Sequence, residues 1–170
     1  MVYDMIGNGN SVFGIGSTVP CLIDLDASKV IDIIRSTGVV ITPAMIHYAN
    51  YLIGNMKNIG TWQLSNAVYG VLGGTADSHK WNWKDLRDVD AAFRIAFQPT
   101  GWVHSATGSK PDGTTYAETF LNPSISLIRS SVHMSYYSGT NDTTGIYTLS
   151  ANTFSSSIQL AIYANFNGKS

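Results

Sequence analysis

The feature that most constrains this chain is a change of hydrophobic period partway along it. Between residues 26 and 60 the apolar residues recur every three or four positions; from Phe93 onward they alternate. A period near 3.6 belongs to a helix with one buried face, and a period of two belongs to a half-buried strand. The first half therefore predicts helices and the second predicts strands.

The helical part carries its own stop and start signals. Asp26 is placed to cap a helix whose apolar positions are Val30, Ile33 and Ile34, and Gly38 follows as the residue past its end. Thr42-Pro43 supplies a second N-cap with proline at the first helical position, where its missing N–H costs nothing. Met45, Tyr48, Ala49, Leu52, Met56 and Ile59 continue that helix and Gly60 closes it.

After Trp62, Ala67–Leu72 reads as a short buried strand ended by Gly73-Gly74. Phe93, Ile95 and Phe97, then Trp102 and His104, Val132, Met134 and Tyr136, and Ile158, Leu160 and Ile162 form the alternating runs. Turn signals separate them at Gln98-Pro99-Thr100-Gly101, Lys110-Pro111-Asp112-Gly113, Asn122-Pro123 and Asn141-Asp142. Many short strands joined by such turns predict a mainly β fold, a β-sandwich. The expected layout is an extended N-terminal arm over 1–25, a helical pair over 26–60 and a sandwich domain over 61–170. The arm's apolar residues Val12, Phe13 and Ile15 need a surface to pack on, either the body or a partner.

Composition narrows the function classes. Only 12% of the 170 residues are charged, with Lys+Arg 10 against Asp+Glu 11. Serine, threonine and asparagine (19, 15 and 12 residues) fill the gap. A net charge of -1 argues against electrostatic gripping of nucleic acid. No apolar run reaches the roughly 18 residues of a membrane-spanning helix, and the first ten residues lack a secretion signal's basic start and apolar stretch. Cys21 is the single cysteine, so neither an intrachain disulfide nor a thiolate metal cluster can form.

No catalytic set emerges. Acid–base chemistry at a sugar takes two facing carboxylates, and the chain has one glutamate, Glu118. Asp85, Asp88 and Asp90 lie beside Lys84, Arg87 and Arg94, which predicts structural ion pairs. His47, His79, His104 and His133 share no metal-ligand spacing, and His104 and His133 read as hydrogen-bonded histidines of strands. Loop residues Asp77, Asp112, Asn122, Asn141 and Asp142 could supply oxygen ligands to Ca2+, although such residues also occur in loops for turn reasons. Nucleophile-elbow and phosphate-loop patterns do not occur. Trp62, Trp81, Trp83, Trp102 and the tyrosines offer flat apolar faces for sugar rings, or core; Trp81, Trp83, Trp102 and Tyr137 are the glycan-stacking candidates.

Several linked stretches carry a resemblance. They are Asp24-Leu-Asp-Ala-Ser28, Thr42-Pro43, Tyr69-Gly-Val-Leu-Gly-Gly-Thr-Ala-Asp-Ser-His-Lys80 and Asn82-Trp-Lys-Asp-Leu-Arg-Asp-Val-Asp-Ala-Ala-Phe-Arg94. Gly101-Trp-Val-His-Ser-Ala-Thr-Gly108, Pro111–Ser124 and Ser131–Ser138 continue them. Over Asp26 to Asp142 the chain resembles a family of tailed-phage virion proteins, common in phages and prophages of Bacteroidetes, with a laminin-G or concanavalin A-like jelly roll.

The resemblance implies a non-enzymatic virion protein located on the particle: a fibre, spike, decoration or tail-attached subunit presenting a lectin-like sandwich. Its implied partners are other virion proteins and further copies of itself, with a trimer as the common fibre solution. It transfers no catalytic residues. Residues 1–25 depart from the family's usual lead-in and so are the expected particle anchor, through Val12, Phe13 and Ile15. The family's jelly roll normally continues for several more strands than this chain holds, so the sandwich is expected to be smaller, to take strands from neighbouring subunits, or to belong to a longer protein. An unclosed sandwich exposes strand edges, and partner chains are expected to cover at least one. The alternatives are a host-glycan-binding module that meets surface polysaccharide and, further off, a polysaccharide depolymerase.

Overall fold

The computed structural model describes residues 23–98, 101–112, 114–128, 132–135, 147–153 and 156–163. The helical pair forms as α1 (Leu25–Ser36) and α2 (Pro43–Asn58). The first cap is Asp24 rather than Asp26: its carboxylate accepts from the N–H groups of Asp26 at 2.9 Å and Ala27 at 3.4 Å. Asp26 sits in the first turn, where its charge favours the helix dipole. Lys57, in the last turn of α2, reaches Asp24 at 2.7 Å and Asp26 at 2.8 Å, fastening the end of one helix to the start of the other. Thr42 caps α2 by accepting from Met45 N–H at 3.3 Å. Gly38 and Gly60 both take left-handed backbone, as chain reversal at a helix end requires.

Ala27, Val30, Ile31 and Ile34 form the buried stripe of α1 and meet Ala49 and Ile53 of α2. The stripe turns slightly from the expected one: Ile31 is buried and Ile33 only half-buried. Tyr48 and Ile59 are exposed. Two single turns follow, α3 (Thr61–Leu64) and α4 (Ala76–His79). Trp62, Leu72, Trp81 and Trp83 close the core from the other side.

The predicted sandwich is not what forms. Ala67–Leu72 is extended but joins no ladder, and Asp90–Ala92 is a 3-10 turn. Phe93, expected in a strand, takes φ 58 at the end of that turn. The strands downstream are three residues long: β1 (Ala96–Gln98), β2 (Val103–Ser105), β3 (Gly108–Lys110) and β4 (Tyr116–Glu118). β1 pairs with β4 and β2 with β3, both antiparallel, giving separate two-stranded ribbons. Asn122-Pro123 opens a single helical turn, α5 (Pro123–Ser126), not a hairpin. Residues 132–135 form no strand. A longer antiparallel hairpin, β5 (Tyr147–Thr153) with β6 (Ser156–Tyr163), contains the Ile158–Ile162 alternation. A jelly roll of the concanavalin A or laminin-G kind needs two multi-stranded sheets stacked face to face. Among the described residues there are only two-stranded pairs.

Between residues 66 and 92 the physical reason lies at Asn82, a residue 1% exposed. Its carbonyl oxygen accepts from the N–H of Val68 at 3.0 Å and of Lys84 at 3.1 Å. Its amide donates to the carbonyls of Asn66 at 3.2 Å and Ala92 at 2.9 Å. One side chain thus satisfies backbone groups from three segments that a sheet would have paired with neighbouring strands. Trp83 N–H adds a bond to Val68 O at 2.8 Å.

Candidate functional site

The densest polar cluster of the described residues lies where α4, β1 and β2 meet. Gly73 and Gly74 turn the chain sharply, both with left-handed backbone (φ 95 and 79). A Cβ on Gly73 would stand 2.6 Å from Ser78 Oγ, so the turn closes directly on α4. Thr75 and Ser78 form a reciprocal capping box: Thr75 Oγ1 accepts from Ser78 N–H, and Ser78 Oγ accepts from Thr75 N–H, each at 3.1 Å. The box turns Ser78 and His79 inward, and His79 is 3% exposed.

His79 meets two partners. Gly74 N–H donates to its Nε2 at 3.1 Å, and its Nδ1 lies 3.0 Å from Nδ1 of His104. A backbone N–H can only donate, so Nε2 of His79 is the bare nitrogen and the neutral ring carries its proton on Nδ1. That proton points at His104 Nδ1, which accepts it; neutral His104 therefore carries its own proton on Nε2. Burial foremost, and the neighbouring His104 with it, lower the pKa of His79 to about 4. Burial also lowers that of His104. The edge of Phe97 meets the His104 ring at 4.6 Å, and Trp102 lies beside both. Trp102 in turn donates to Tyr116 O at 3.2 Å, tying in β4.

This pair does not have the chemistry of a metal site. A histidine bound to a metal through one nitrogen donates the N–H of the other to an acceptor. Here the other nitrogen of His79 accepts instead. Among the described residues no group of three or more His, Cys, Asp or Glu side chains could hold a metal ion. Ser78 Oγ donates to Thr75 O at 2.9 Å while accepting from Thr75, so it is a structural hydroxyl.

Beside the pair runs a shallow depression of about 260 Å³, lined by Asp77, Lys80, Arg94 and Phe97 among others. Its cations are matched: Lys80 bonds Asp88 at 2.8 Å and Asp77 at 3.4 Å, and Arg94 bonds Asp90 at 2.8 Å. Arg87 pairs with Asp85 through Nε at 2.8 Å. Structural ion pairs thus account for the charged stretch, with one exception. Among the described residues Lys84 bonds no aspartate; it donates to Trp62 O at 2.7 Å and lies 4.4 Å from the centre of the Trp62 ring.

The aromatic candidates separate. Trp81 and Trp83 are core residues, 6% and 2% exposed, and present no free face to a sugar. Trp83 presses on Gly70 and meets the edge of Tyr48; Trp81 lies under Lys80. Trp102 is half-buried against Phe97. Tyr137 and the anchoring candidates Val12, Phe13 and Ile15 lie outside the described residues, as do the Ca2+ candidates Asn141 and Asp142. Asp77 is paired with Lys80, and Asp112 accepts from Thr114 N–H at 2.9 Å as a turn residue. Asn122 leads into α5. Glu118 is exposed at the end of β4, in register with Ala96. His104 is a hydrogen-bonded strand histidine as expected, whereas His133 is exposed and in no strand. The His79–His104 pairing, across 25 residues, had no spacing signal to reveal it.

No protein-family model, curated protein or solved structure matches the chain.

Proposed function

We propose that this chain is a non-enzymatic structural subunit of a phage virion, a fibre, spike, decoration or tail-attached protein that works as a homo-oligomer, with a trimer as the working number. The observation that carries the reading is the distribution of apolar side chains. Eleven apolar residues make the buried core of the described residues, and three of them are alanine. Among the described residues fourteen large apolar side chains are exposed, including Leu25 at 69%, Tyr51 at 64%, Leu64 at 84% and Ile125 at 82%. Apolar side chains left exposed on one chain are available for contact with other chains, and the reading assigns them that use.

The resemblance supports the same reading through the placement of its motif residues. Asp24, Thr42, Gly70, Asn82 and Trp83 are engaged in caps, core contacts and backbone hydrogen bonds. They build a scaffold. The anchor is assigned to Val12, Phe13 and Ile15, and host polysaccharide contact to Trp102 and Tyr137. Mass spectrometry of density-purified particles tests the reading: the protein is expected at a fixed copy number per particle, and a variant lacking residues 1–22 is expected to drop out. Finding it only in the soluble fraction, as a monomer, would contradict the proposal.

A further inference from the structure

We propose that the His79–His104 pair is an acid-released latch holding the β2–β3 hairpin on the turn from Gly73 to His79. The argument rests on where a further proton could go. Neutral His79 has one bare nitrogen, Nε2, and it is occupied by Gly74 N–H. Neutral His104 has one bare nitrogen, Nδ1, and it is occupied by the Nδ1–H of His79. A second proton on either ring therefore sets two donors against each other and breaks a bond. Shifting the His79 proton to Nε2, to free its Nδ1 as an acceptor, only transfers the conflict to Gly74.

Among the described residues, the groups around the pair give a positive charge no partner. On α4 is Asp77, with Lys80 just past its end, and the segment leading into β1 brings Asp88, Asp90 and Arg94. These are bonded to one another. β1 offers the Phe97 ring, and Trp102, just before β2, stacks on His104 within it. Burial opposes charge on both rings, and the His104 ring adds to it at His79.

The two bonds also sit at the docking contact of the hairpin. A Cβ on Gly74 would lie 3.2 Å from Ala106 N and 3.3 Å from Ser105 C, so the hairpin turn lies against the Gly74 backbone. Breaking either histidine bond thus loosens β2–β3 (Val103–Ser105 with Gly108–Lys110) without touching the core of α1 and α2.

The test combines two measurements on the full chain. Nitrogen-15 NMR of the imidazoles at pH 7.5 is expected to show His79 protonated at Nδ1 and His104 at Nε2. Amide exchange, corrected for intrinsic rates, is expected to show protection of residues 103–110 falling by about tenfold per pH unit below about 6.5, while residues 27–34 and 49–53 keep theirs. In the double variant H79Q/H104Q that pH dependence should vanish. Nε2–H on both rings overturns the proposal, and so does hairpin protection that ignores pH in the wild type or falls equally in the variant. If the variant does not fold, the wild-type tautomers and exchange profile decide.

Discussion

Replacing Asn82 by alanine removes the four hydrogen bonds through which one buried side chain joins the segments at 66–68, 84 and 92. Two backbone N–H groups and two carbonyls lose their partner there. A typical intramolecular bond contributes about 1 kcal/mol net, and more where the abandoned group stays buried, so the expected loss is about 4 kcal/mol. That is a large share of the roughly 5–15 kcal/mol of a whole domain. Trp62, Trp81 and Trp83 are buried in the same region, so tryptophan fluorescence through a urea titration reports the loss directly. Asn82→Asp keeps the shape and the accepting oxygen but turns the second oxygen toward the carbonyls of Asn66 and Ala92. It should cost at least as much as alanine. A loss below about 1 kcal/mol for N82A, or a tolerated N82D, would refute the idea that this side chain replaces a sheet ladder.

Other consequences follow from single contacts. Gly70→Ala places a Cβ 2.1 Å from Trp83 Cζ2, against a ring with no room to move, and should destabilise by about 1–3 kcal/mol in the same titration. Trp83→Ala should cost about 3–5 kcal/mol, read as a lowered urea midpoint, since the ring is core. Burial opposes ionisation of Asp24, but Lys57 and the N–H groups of Asp26 and Ala27 outweigh it and hold the carboxyl below its usual value. Lys57 is the leading cause of the same depression at Asp26. Both carboxyls bind a proton more readily unfolded, so their stabilisation is present above about pH 4 and is lost as pH falls further. Asp24→Asn should flatten that part of the pH–stability curve and lower the thermal midpoint at pH 7. His79 acts at higher pH: its folded pKa of about 4 lies below the ordinary 6.5, so its ring costs nothing above about 6.5 and lowers stability progressively, by about 3 kcal/mol in all, as pH falls toward 4. Urea midpoints across pH 4–7.5 for wild type and H79Q separate this from the carboxyl effect.

The helices were readable because their signals are local. Thr42-Pro43, Gly38 and Gly60 act within one turn of where they stand, and each does what its chemistry predicts. The first cap slipped by two residues because Asp24 and Asp26 are both good capping residues, and Lys57, 33 residues away from Asp24, contacts both. Beyond residue 60 the alternation marks strands at Ala96–Gln98, Val103–Ser105 and Ser156–Tyr163, but none at Phe93 or over 132–135. Trp102 and His104 do point inward while Val103 and Ser105 point out, yet that pattern runs for only a few residues. Extending it to a sandwich failed where side chains, Asn82 foremost, supply the bonds a ladder would have made. An asparagine that binds three segments looks, in a chain with twelve asparagines, like any other loop residue. The histidine pair was equally hidden, because tertiary packing alone brings residues 79 and 104 together.

The central claim is that this chain is a structural part of a larger particle, its exposed apolar side chains covered by neighbours. A density map of the intact particle with this chain placed tests it most directly. The account predicts symmetry-related copies with Leu25, Tyr51, Leu64 and Ile125 buried against adjoining subunits. A map in which those side chains face solvent, or in which other proteins fill all the density, would contradict it.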